Sequence, residues 1–212
     1  MSKICEQLHL LFSSQKMIYF PFNPSQIPNN GIYILFEDGE FAHGTRRVVR
    51  IGTHTGKDQL RSRLRQHFTQ ENKDRSIFRK NIGRALLNKA SDPFLSQWEL
   101  DLTTRAAREK YQSQIDLKYL AIVEKMVSNY LQKHFQFIAF EVQEKAARLT
   151  LESKIISTIS KCETCKASSA WLGLHSPKTK IREGGLWLVN ELYKEPLNET
   201  ELENLKTYFG KS

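Results

Sequence analysis

Gly31-Ile32-Tyr33-Ile34-Leu35-Phe36, closed by Glu37-Asp38-Gly39 and followed by Arg46-Arg47-Val48-Val49-Arg50-Ile51-Gly52, is the stretch that decides the fold. Both runs are rich in β-branched and aromatic residues, which suit a pleated, half-buried surface, and Glu-Asp-Gly is a turn signal. They predict two neighbouring antiparallel strands. Downstream, Leu60, Leu64 and Phe68 recur at helical spacing, with Asp58 as the expected N-cap. A second helix fits Ile77 to Lys89, with Phe78, Ile82, Ala85 and Leu86 as its apolar face, and a third, longer one fits Arg105 to Lys133. Phe135 to Val142 reads as a central strand covered on both faces, because it is apolar without alternating. A fourth helix runs from Lys145 to Ser160, then come a Trp171-Leu172-Gly173-Leu174-His175-Ser176-Pro177 loop, a short Leu186 to Tyr193 helix and a C-terminal helix capped by Asn198 or Thr200.

The 212 residues are enough for one domain with a good core, and 40% hydrophobic with 26% charged residues is a globular composition that excludes a disordered or collagen-like chain. No apolar run approaches the roughly 18 residues of a membrane helix. The N-terminal patch Leu8 to Phe12 is too brief for a secretory signal. Together with an odd number of cysteines, three, this predicts a cytoplasmic protein without disulfides.

The net charge of +9 is unevenly spread. Thirteen Lys and Arg against three Asp and Glu fall between Arg46 and Lys89, so this stretch holds the whole positive excess. Concentrated positive charge beside a neutral body suits a polyphosphate ligand, because each neutralised phosphate releases counterions. Nucleic acid is the expected partner, and a solvated basic face without a ligand is the plainer alternative.

Four features in order carry a family likeness: Gly31-Ile32-Tyr33, then Arg50-Ile51-Gly52, then Leu60-Arg61-Ser62-Arg63-Leu64-Arg65-Gln66-His67-Phe68, and a later glutamate inside a helix. The chain resembles the GIY-YIG nuclease superfamily over roughly Gly31 to Ile159, in particular its stand-alone, restriction-like members of prokaryotic type. Arg50 stands where the second motif has tyrosine. The resemblance implies an α+β fold, a small three-stranded antiparallel sheet flanked by helices, with a helical insertion and C-terminal helices. It divides the chain into an N-terminal helical extension (1–25), a nuclease domain (26–195) with the insertion at about 90–133, and a C-terminal helix (196–212).

Phosphodiester hydrolysis needs a proton acceptor for the attacking water, a cation for the transition state and a metal ion at the leaving oxygen. Tyr33 resembles the family tyrosine that helps activate water, a task favoured by nearby positive charge, which Arg50 could supply. Arg63 and His67 lie four apart on one helix face beside the Leu60-Leu64-Phe68 stripe; Arg63 resembles the family arginine and His67 a histidine found in several members. Glu152 falls within the apolar stripe Ala146, Leu149, Ile156, Ile159. A carboxylate there needs a partner, which predicts a metal ligand for Mg2+, with Mn2+ as a substitute, or an ion pair with Arg148.

Arg61 and Arg65 read as solvated phosphate contacts, and Arg79, Lys80 and Arg84 as the polar face of a helix tracking DNA. Trp98, Trp171 and Trp187 read as core or loop anchors. His175 and Ser176 lie where the family has a polar residue, often asparagine, after the glutamate. Cys162-Glu163-Thr164-Cys165 is a lone Cys-x-x-Cys, and Cys5 and His175 are not at convincing spacing to complete a zinc site, so these cysteines read as incidental. The expected function is metal-dependent cleavage of duplex or branched DNA, with no membrane role; a homodimer would suit double-strand cutting. The alternatives are a nuclease-like module that binds without cutting and an interaction protein with an acidic partner.

Overall fold

A computed structural model describes residues 2–210. In chain order its elements are α1 (Ser2–Ser13), β1 (Ile18–Tyr19), β2 (Gly31–Ala42), β3 (Thr45–Gly52), α2 (Leu60–Phe68), α3 (Ile77–Lys89), α4 (Leu95–Glu99), α5 (Arg105–Tyr111), α6 (Leu117–His134), β4 (Phe135–Glu141), α7 (Lys145–Ser160), α8 (Thr179–Gly184) and α9 (Glu199–Lys206). The architecture is α+β, with an antiparallel sheet between helices. The sheet has four strands, not three, in the order β1-β4-β2-β3. The additional strand is a two-residue edge, Ile18 and Tyr19 opposite Phe137 and Gln136, too short to leave a sequence pattern.

β2 is the axis of the fold. It pairs with β3 through Tyr33–Gly52, Ile34–Ile51 and Leu35–Arg50, and with β4 through Gly31–Glu141 to Glu37–Phe135. Its side chains alternate into two cores. Tyr33 and Leu35 join Val49, Phe135 and Phe137 beneath α2, α3 and α6, where Leu64, Phe68, Phe78, Ile82 and Val127 cover them. Ile32, Ile34 and Phe36 face α1, α7 and α9, against Leu8, Phe12, Ile155, Ile159 and Leu202. Double coverage explains why this strand is continuously apolar.

Two glycines are required by contact. A Cβ on Gly31 would lie 2.0 Å from the Phe140 carbonyl oxygen, and one on Gly52 would lie 2.2 Å from the Tyr33 hydroxyl. Gly31 thus lets β4 approach, and Gly52 makes room for the tyrosine ring.

Several local expectations are corrected. Asp58 does not cap α2: it has φ 55° and its carboxylate accepts from Asn30 Nδ2 at 2.6 Å, leaving Gln59 at the cap position. The single helix expected from Arg105 to Lys133 is two, because Asp116 caps a new start by accepting from the amides of Lys118 and Tyr119. The helix expected over Leu186 to Tyr193 lies earlier, at α8, and ends where Gly185 takes φ 63°. α9 is capped by Asn198 in a reciprocal capping box with Glu201.

The largest correction concerns α3. Its expected DNA-facing side chains Arg79, Lys80 and Arg84 are all buried. Arg79 forks onto Glu124 Oε2 (Nε 3.1 Å, Nη2 2.7 Å) and also reaches Ser128 and the His67 carbonyl. Lys80 pairs with Asp74 at 3.6 Å, and Arg84 grips both oxygens of Glu99 at 2.6 Å. Arg47, in β3, is fully buried against Glu40. Much of the basic stretch is therefore neutralised inside the protein by acids outside each cation's own element, from six to 45 residues away in the chain. Removing one partner of a buried pair leaves an uncompensated charge. Arg79→Ala should lower the unfolding free energy by about 3–5 kcal/mol, read from chemical denaturation. A variant as stable as wild type that binds DNA less tightly would return Arg79 to the ligand face.

Candidate active site

The site lies along β3, the outer strand of the sheet, where α2, α7 and the segment around Trp187 approach it. Tyr33 projects from β2 beneath it, wholly buried. Its hydroxyl shares a 2.8 Å hydrogen bond with His67 Nε2 and accepts one from Arg50 Nε at 3.4 Å. His67 Nδ1 is 2.7 Å from Ser76 Oγ, which also accepts the Arg79 amide as the cap of α3. A neutral ring can bridge the two hydroxyls, one nitrogen donating and the other accepting. Burial holds the imidazole well below its usual pKa, and the cations of Arg63, Arg50 and Arg79 push the same way. His67 is thus held neutral.

Arg50 is buried between sheet and cleft. Its Nη1 donates to the Trp187 carbonyl and its guanidinium lies 4.8 Å over the Phe78 ring. It forms no ion pair among the described residues. Glu152, on α7, lines the same cleft, and its carboxyl is pushed up by burial and drawn back down by Arg50 and by the Thr53 amide. That amide donates to Glu152 Oε1 at 3.1 Å. The other carboxylate oxygen has no protein partner among the described residues.

The Arg148–Glu152 ion pair does not form: Arg148 is buried and donates to the carbonyls of Val142 and Gln143. The stripe containing Glu152 is only half interior. Ile156 and Ile159 are buried, whereas Leu149 is 38% exposed and lines a cleft of about 440 Å³ with Arg50, Asn81, Glu152, Asn190 and Glu191. Glu152 thus presents hard oxygen to a solvated cleft, the donor chemistry that a divalent ion retaining most of its waters requires. Arg63 lines the adjoining cleft with Thr53, His54 and Gln66, and its Nη1 donates to the Arg75 carbonyl at 3.3 Å.

Tyr33, Arg50, His67 and Glu152 are thus brought together, with Arg63 next to them. His175 is exposed and supplies only a carbonyl to Asn88, while Ser176 is buried and accepts the Lys178 amide. Asn190, missed in the sequence, lines the cleft with Glu152; its only signal was being an asparagine after the glutamate. The basic surface left for a ligand is α2 and its flanks, where Arg61, Arg63 and Arg65 with Lys57 and Arg75 reach solvent.

A family model described as a GIY-YIG domain matches residues 15–212. No curated protein and no solved structure matches the chain.

The histidine geometry has a pH consequence. Below the unfolded-state pKa of about 6.5 the unfolded chain takes a proton at this position and the folded one does not, so His67 costs stability as pH falls. The difference in unfolding free energy between wild type and His67→Gln should therefore shrink from pH 8 to pH 5 in urea titrations. A difference that grows on acidification would mean that the folded protein holds the ring charged.

Proposed function

The chain belongs to the GIY-YIG family, and from that premise we propose that it is a metal-dependent endonuclease that hydrolyses DNA phosphodiester bonds. The domain points to nuclease activity in general. The observation that carries the finer reading is Arg50: a buried guanidinium with no ion pair, lining the same cleft as Glu152. A buried cation without a carboxylate favours an anionic ligand, and a phosphodiester supplies one.

Glu152 is the residue to hold the metal, through its cleft-side oxygen, with Asn190 beside it as the polar residue after the glutamate. When bound, Mg2+, or Mn2+ in its place, would neutralise charge on the leaving oxygen. Arg63 is placed to grip phosphate oxygens with its planar fork. His67 Nε2 holds the Tyr33 hydroxyl in place at 2.8 Å; the Arg50 N–H that points at the same oxygen favours its ionised form, which could take a proton from the attacking water. Arg50 then does part of what the motif's second tyrosine does elsewhere, by charge rather than by a hydroxyl. Arg61 and Arg65, with Lys57 and Arg75, form the backbone-binding face in place of Arg79, Lys80 and Arg84. Duplex or branched DNA fits a convex basic helix, and residues 26–195 are taken as the nuclease unit with helical extensions on either side. Among the described residues no helix is long and apolar enough to cross a membrane; three cysteines outside any disulfide suit a reducing, cytoplasmic setting.

One observation favours a second reading, binding without cutting: Tyr33 has no exposed surface. Plasmid nicking with Mg2+, with and without chelator, separates the two. Wild type should nick. Glu152→Gln, nearly isosteric, should bind DNA at least as tightly and lose Mg2+-supported nicking, and Arg63→Lys should fall by about 10²-fold or more in rate. Retained nicking by Glu152→Gln with a lowered Tm would make Glu152 structural, and a wild type that binds but never nicks would establish the second reading.

The binding face is tested separately. Arg61, Arg65 and Arg75 replaced together by alanine should reduce the salt slope of DNA binding by up to about 2.7, at about 0.9 per lost phosphate contact. An unchanged slope would place the interface elsewhere.

A further inference from the structure

Two of the three cysteines, Cys5 and Cys165, do not behave as incidental residues. Cys5 and His9 stand one turn apart on α1, His43 sits at the tip of the β2–β3 hairpin, and Cys165 follows α7. These three segments, remote in the chain, bring two sulfurs and two imidazole nitrogens within 4.8 Å of one another. A tetrahedron built on metal bonds of about 2.3 Å to sulfur and 2.0–2.1 Å to nitrogen has edges of about 3.3–3.8 Å, so the set needs to contract only slightly. Cys5, His9 and Cys165 are buried and His43 is partly so.

The local bonding prepares His9 as a ligand. Its Nδ1 lies 2.9 Å from the Cys5 carbonyl, to which it can donate, and its Nε2 faces the Val48 amide at 3.2 Å, which marks Nε2 as the unprotonated nitrogen; a metal bound there would take the place of that amide contact. Nε2 is 3.5 Å from Cys165 Sγ. An imidazole whose second nitrogen is fixed by a carbonyl is the usual outer support of a metal-bound histidine. The ring of His43 packs 5.0 Å from that of His9, centroid to centroid. Sulfur is a weak hydrogen-bond partner, so protein contacts alone satisfy these groups poorly.

We propose that Cys5, His9, His43 and Cys165 form a structural zinc site that fastens α1 and the segment after α7 to the β2–β3 hairpin. Two thiolates and two imidazoles select zinc over the hard cations that suit Glu152, and four protein ligands leave no open position for chemistry. The site shares no residue with the cleft and does not rest on the nuclease reading. Cys165 borders a surface cleft with Lys161 and Gly184, which gives the ion a route in. Cys162 is excluded from the ligand set although its Sγ lies 3.6 Å from His43 Nε2.

The full chain, purified under reducing conditions without chelator, should contain about one zinc ion per molecule by elemental mass spectrometry. Stripping the ion should lower Tm, and Zn2+ but not Mg2+ should restore it. Cobalt in its place should give a thiolate-to-metal charge-transfer band and the strong visible absorption of tetrahedral cobalt. Cys165→Ser and His43→Asn should lose stoichiometric metal, the latter at a less buried position that the fold tolerates, while Cys162→Ser should keep it. Metal-free protein that fails to take up zinc and carries three titratable thiols, or a disulfide between Cys5 and Cys165, would overturn the proposal. So would loss of zinc in Cys162→Ser with retention in Cys165→Ser.

Discussion

A strand with apolar side chains on both faces must be covered twice, and in this protein that strand is β2. Gly31, Tyr33 and Leu35 cannot sit at the centre of a sheet unless β3 and β4 flank them and a layer of helices closes each side. Every other element has its place because of that requirement. α2, α3 and α6 close one face and α1, α7 and α9 the other. Because the strand carries a tyrosine into one of these cores, the hydroxyl needs partners there, and Arg50 and His67 meet that need. The same need makes Gly52 the only residue that fits opposite the ring.

Buried charge is the second organising constraint. A cation taken out of water is tolerated only beside an acid or a dipole. Arg47 meets Glu40, Arg79 meets Glu124, Arg84 meets Glu99, and Lys73 and Lys80 share Asp74, so five cations of the basic stretch serve the interior. Arg50 breaks the pattern. It leans on a carbonyl and an aromatic face instead, and it does so at the edge of the cleft. Arg148 is likewise buried and held by carbonyls alone, so what sets Arg50 apart is that it combines the lack of an acid with a place in the lining of the cleft.

The two places suited to metal differ in chemistry as well as position. Glu152 offers hard oxygen on a solvated wall. The Cys5, His9, His43 and Cys165 group offers soft donors where the N-terminal helix, the hairpin tip and the end of α7 converge. One arrangement leaves coordination positions for water and substrate, and the other closes around an ion.

The sequence by itself determined the α+β class, the β2–β3 pair, the extents of α2, α3 and α7, and the residues that meet around Tyr33. Each rests on local periodicity or on ordered short motifs, and the family match supports the same family. Only the tertiary structure decided the rest. The two-residue strand β1 exists because β4 has a free edge, not because Ile18-Tyr19 prefers to be extended. Arg79, Lys80 and Arg84 read as a solvated face since their acids, Glu124, Asp74 and Glu99, are invisible to helical spacing around α3. Asn190 reaches the cleft only because the chain beyond α8 is irregular. His9 and His43 join the cysteines through contacts spanning most of the chain, which no spacing rule records. Burial and partnership are properties of the packed molecule, and a one-dimensional pattern carries them only where both partners lie on the same element.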